Sequence, residues 1–202
     1  MSGISINYGP ISVDLKKFVD FLKEVVSGDL DENTKKTIQE AIDEVLSAYG
    51  LTVDCVIPFL KVGVGLKFKE QFAKEYGNYI DAYANFLKIK PSQMPACHKV
   101  HDMLDTVSKK RGIRAIAPSF RERRDEIKDL ADSWMMNDDK VFKGLENLHN
   151  SLLSEMRYIY FNLEEETLKA QNEFNSFINQ TMVDLEAIQE QIRVLESIKR
   201  SV

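Results

Sequence analysis

The sequence predicts an all-α protein, an elongated multi-helix bundle ending in a long C-terminal helix, and three observations carry that prediction. The chain has neither Gly nor Pro after Gly144, so no residue there forces a helix to stop. The apolar residues of that stretch, Leu145, Leu148, Leu152, Met156, Ile159, Leu163, Ala170, Phe174 and Ile178, are spaced to keep one face of a helix apolar, with Thr167 the one interruption. Hydrophobic residues make up 44% of the 202 and charged residues 29%, a balance that supports a buried core. A continuous helix from Leu145 onward would run about 85 Å, whereas a compact globule of this length has a diameter near roughly 45 Å. Either the molecule is elongated or the helix breaks. The break is expected between Asn162 and Asn175, where Asn and Glu accumulate around Thr167.

Residues 1–10 read as an irregular lead-in punctuated by Gly9-Pro10. A first helix follows from the helical spacing of Ile11, Leu15, Phe18, Val19, Leu22 and Val25, with Gly28 placed to end it. Asp31 to Thr34 opens a second helix with acidic residues at its positive end, and Ile38, Ile42, Val45, Leu46 and Tyr49 form its stripe up to Gly50. Residues 51–66 differ in kind: ten are apolar, Pro58 lies in the middle, and only Asp54 and Lys61 are charged. The alternation from Val62 to Lys69 has the period of a strand, so this segment reads as a short irregular or β-like apolar insert. It falls short of the ~20 apolar residues that span a bilayer. A third helix is expected over Phe68–Lys88, with an aromatic face of Phe72, Tyr76, Tyr79, Tyr83 and Phe86. Pro91 and Pro95 bracket a loop before a helix over Ala96–Lys109, and Ser119 can cap another running through Ile127, Leu130 and Trp134. Asn137-Asp138-Asp139 turns into the long helix over 139–200, whose last part, Leu185, Ile188, Ile192 and Leu195, takes the three-four-three spacing of a coiled coil. No repeat or long linker divides the chain, which favours one domain over 1–202.

Net charge is −5 and the isoelectric point about 5.4, which removes any general attraction to nucleic acid, and none is expected as a partner. Residues 1–17 lack the basic start and apolar run of a secretory signal, so a cytoplasmic site of synthesis is expected, with leaderless secretion still compatible. Cys55 and Cys97 are too few for a disulfide framework and read as reduced thiols.

Chemistry-bearing residues are sparse, and no catalytic, cofactor-binding or metal site is expected from them. Cys97, His98 and His101 offer metal ligands at helical spacing, His98 with His101 or Cys97 with His101, but the chain has no second Cys/His pair at diagnostic spacing and His149 is remote in sequence. A buried thiol beside partly exposed histidines is the favoured reading. Lys109, Lys110, Arg111, Arg114, Arg121, Arg123 and Arg124 form a candidate anion or lipid-headgroup patch, although Asp125, Glu126, Asp129 and Asp132 can neutralise it internally. Gly63-Val64-Gly65 lacks the rest of a phosphate loop, and Glu164, Glu165 and Glu166 point in different directions around a helix.

These features favour a non-enzymatic interaction or assembly protein. It would act through an extended amphipathic surface comprising Leu152, Met156, Ile159, Leu163, Phe174, Ile178, Leu185 and Ile192, in a homo-oligomer or with a partner helix. The alternative is a membrane-active protein whose concealed inserting segment includes Val56, Ile57, Phe59, Leu60, Val62, Val64 and Leu66. In layout alone, an apolar segment set between amphipathic helices, the chain resembles the α-helical pore-forming toxins, and that resemblance implies a membrane as a possible partner.

Overall fold

The computed structural model describes residues 11–64, 72–89, 94–109, 120–135, 149–150 and 164–202, and among them every regular element is an α-helix. Helix α1 covers Ile11–Val26, α2 Glu32–Val64, α3 Phe72–Ile89, α4 Met94–Ser108, α5 Phe120–Met135 and α6 Glu164–Ser201. The chain is thus an all-α, multi-helix protein with a long C-terminal helix.

Helix α1 forms as its pattern predicts: Leu15, Phe18, Val19, Leu22 and Val25 are all buried, and Phe21, which the pattern did not include, is buried with them. It ends where Gly28 donates its N–H to the Val25 carbonyl at 3.2 Å. Helix α2 starts on a side-chain cap, because Asp31 Oδ1 accepts the Thr34 N–H at 2.8 Å, and so satisfies one of the donors that every helix start leaves free.

The main correction to the sequence reading lies in α2. Gly50 does not close it, and the supposed insert continues the same 33-residue helix to Val64. The buried stripe Ile42, Val45, Tyr49 runs on through Val53, Val56 and Leu60 at steps of three and four. Pro58 is tolerated because it is exposed, on the side away from Val56 and Leu60, so the carbonyl it leaves unpaired faces water. Residues 62–64 are helical and not strand-like, and 65–69 lie outside the described residues.

Helix α4 begins at Met94, two residues earlier than expected, with Pro95 in the first turn where a missing N–H leaves no bond unmade. Helix α6 is unbroken from Glu164 onward, a 38-residue helix of about 57 Å. The break expected around Thr167 therefore does not occur from Glu164 to Asn175; Asn162 and Leu163 lie outside the described residues. Ile178, Leu185, Ile188, Leu195 and Ile198 are buried along α6, and Ile192 is half-buried. The heptad-like spacing of its last part is thus an inward-facing seam.

The contacts group into two compact units. One holds α1, α2 through Leu51, α4, α5 and α6 from Ala187. Inside it α5 packs on α4 and α1, and the Phe21 and Phe120 rings lie 5.7 Å apart. Ion pairs tie its helices at the surface: Lys99 of α4 to Glu40 of α2 at 2.7 Å, and Lys199 of α6 to Asp43 of α2. The Lys99 ammonium lowers the Glu40 carboxyl below its ordinary range, first through their hydrogen bond and then through charge. The other unit holds α2 from Thr52, α3, His149 and α6 through Glu186, and among its described residues Tyr79 and Tyr83 are buried aromatics.

Gly77, exposed in the interior of α3, has nothing within 4 Å of where a Cβ would sit. Gly77→Ala should therefore stabilise the protein by up to about 1 kcal/mol through helix propensity. A thermal melt reads it, and an unchanged or lower melting temperature would count against a regular helix there.

Candidate metal centre

Cys97 and His101 lie four residues apart, on one face of α4, and the packing of α5 against that face brings Asp132 to them. The three donor atoms lie within 4.8 Å of one another. Their burial is graded: Cys97 is 1% exposed, while the His101 and Asp132 side chains are partly open to solvent. His101 Nε2 comes within 2.9 Å of Asp132 Oδ1, yet it makes no hydrogen bond of acceptable angle. The carboxylate sits beside the ring nitrogen and off the N–H axis. Burial, and after it the Asp132 charge, push the Cys97 thiol above its ordinary pKa. The thiol is therefore protonated at neutral pH.

Of the two pairings open to the sequence, the structure realises Cys97 with His101; His98 is exposed and outside the cluster. Asp132 was legible only as a neutralising acid for the neighbouring arginines, because its place beside His101 depends on how two helices pack. The basic patch is partly consumed internally. Arg124 pairs with Asp125 at 2.5 Å, as the sequence suggested, and Arg123 pairs with Glu24 of α1, which it did not. Lys109 and Arg121 are exposed; Lys110, Arg111 and Arg114 lie outside the described residues. Gly63 is a buried helical residue and not part of a phosphate loop.

In the second unit the aromatic face of α3 meets His149. Its ring stacks on Tyr83 at 3.8 Å between centroids and lies 5.9 Å from Tyr79. Burial lowers the His149 pKa and raises that of Tyr79. Tyr79 and Tyr83 thus pack inward, against a histidine that is remote from them in sequence.

Among the positions read as an interaction surface, Ile178 and Leu185 are buried and Ile192 is half-buried. Leu152, Met156, Ile159 and Leu163, and the Phe174 side chain, lie outside the described residues. In the segment read as membrane-inserting, Val56 and Leu60 are buried and Ile57 and Val62 half-buried. The side chains of Phe59 and Val64, and Leu66 altogether, lie outside the described residues. No helix of the described residues is long and apolar enough to cross a membrane.

Fold and site together define a helical-bundle protein with one compact Cys/His/Asp cluster among the described residues. Compared with protein-family models, curated proteins and solved structures, the chain matches none.

Proposed function

We propose that the chain is a non-enzymatic interaction protein that associates through its C-terminal helix, with a second copy of itself or with a helix of another protein. The observation that supports this is the exposure of Leu168 and Val183 on α6, at 63% and 59%. At 100° per residue the two lie about 60° apart around the helix, so one partner can cover both. The inward seam at Ile178 and Leu185 is already occupied by the chain's own packing, and a partner there would have to displace it. Leu168 and Val183 need no such displacement. Leu87 on α3, 48% exposed, adds apolar surface in the same unit.

Covering one such side chain is worth roughly 1.5–3 kcal/mol. Replacing both Leu168 and Val183 by Glu should therefore weaken association by more than about tenfold while leaving helix content unchanged. Sedimentation equilibrium over a concentration series measures it. A wild-type chain that stays monomeric throughout rejects self-association, and one that assembles equally well with both glutamates rejects this surface. No specific observation favours the membrane-active alternative: Val53, Val56 and Leu60 form one buried face of a regular helix whose other side carries exposed Asp54 and Lys61.

A further inference from the structure

The Cys97, His101 and Asp132 cluster has a property that simple core packing does not require. A hydrogen-bonded His–Asp pair would align the Nε2–H with a carboxylate oxygen; here the two atoms are 2.9 Å apart and unaligned. Side-by-side donor atoms that do not bond to each other are what the edges of a coordination polyhedron look like. Zinc bonds of about 2.0–2.3 Å to nitrogen, oxygen and sulfur give tetrahedral edges of about 3.3–3.6 Å. The three atoms, within 4.8 Å of one another with Nε2 and Oδ1 at 2.9 Å, reach those edges with side-chain shifts of about 1 Å, the nitrogen–oxygen pair by opening slightly.

We propose that Cys97, His101 and Asp132 bind a divalent cation of the zinc class, which joins α4 to α5. The donor set is chemically suited to it. A thiolate and an imidazole favour a borderline-soft ion over calcium or magnesium, and the carboxylate brings a second negative charge. Cation binding replaces the Cys97 proton, which leaves to water, and the neutral imidazole donates the Nε2 lone pair. The Cys97 thiol and the His101 Nε2 are both covered, and the Asp132 side chain is partly open to solvent. Three protein ligands leave a fourth position, which water can fill.

Cobalt(II), added to the purified untagged full chain at neutral pH, is the probe. Wild type should develop the intense near-ultraviolet sulfur-to-cobalt band together with the visible bands of tetrahedral cobalt, and zinc should displace both and raise the melting temperature. Cys97→Ser should abolish the charge-transfer band and Cys55→Ser should keep it. His101→Gln and Asp132→Asn should each weaken cobalt binding by at least the roughly 10–100-fold seen when even a supporting partner of a metal ligand is lost. His98→Ala should bind as wild type does. Because Asp132 is partly exposed, Asp132→Asn keeps the test decisive if Cys97→Ser fails to fold. Absence of a cobalt spectrum in wild type overturns the proposal. So does a charge-transfer band that survives in folded Cys97→Ser, or cobalt affinity unchanged in both His101→Gln and Asp132→Asn.

Discussion

Leu60→Ala should cost about 2–5 kcal/mol, the range for truncating a buried leucine. Leu60 has no exposed surface and lies two residues beyond Pro58, on the buried stripe that Val53 and Val56 begin. The removed methyl groups forfeit their transfer energy and leave a cavity that close-packed neighbours fill only in part. Lys61→Ala, one residue on but exposed, should change stability by no more than about 0.5 kcal/mol. Urea unfolding of both variants measures the contrast. Similar small losses in both would mean that the segment after Pro58 is not packed as a helix, and would return it to the irregular insert that its composition suggests.

That contrast also shows where the sequence was legible. Helix α1 could be read completely, since every position its pattern marked as apolar from Leu15 to Val25 is buried. Helix α2 could be read only to Gly50. Local propensity opposes a helix by about 1 kcal/mol at a glycine and about 3 at a proline, and the alternation after Val62 adds a competing period. Tertiary burial overrides those local terms: three side chains at Val53, Val56 and Leu60, each worth roughly 1.5–3 kcal/mol when covered, outweigh them. The decisive signal was present, because Tyr49, Val53, Val56 and Leu60 keep steps of three and four across both breakers.

The clusters were legible by half. Spacing within one helix gives Cys97 with His101 and Tyr79 with Tyr83. It cannot give Asp132 or His149, whose positions follow from how separate segments pack. The chain's apolar seam was legible too, but not which side of α6 is spent on its own core. Ile178 and Leu185 look like an association surface in sequence and are buried in the fold, while Val183 between them is exposed.

Tyr79→Ala should be the most damaging change on α3, at about 3–5 kcal/mol by analogy with other large aromatic truncations, and it should also alter how stability depends on pH. Tyr79 is buried and its ring lies beside His149, whose pKa burial holds below the ordinary value. The unfolded chain takes up that proton near pH 6.5 and the folded chain only at lower pH. Between the two values the unfolded state binds more protons, so stability falls with falling pH. The favourable contribution of the neutral imidazole is intact above the unfolded pKa and is lost as pH drops through it toward the folded one. Removing the Tyr79 ring lets water reach His149, raises its folded pKa and flattens this slope. Two readouts separate the effects: denaturant unfolding from about pH 7.5 to 5, which brackets the ordinary histidine pKa, and His149 ring-proton shifts followed by NMR. His149→Phe, which cannot take up a proton, should flatten the same window while keeping the stack on Tyr83. An acid-induced loss as steep in His149→Phe as in the wild type would show that another group carries it, and that the buried imidazole is packing alone.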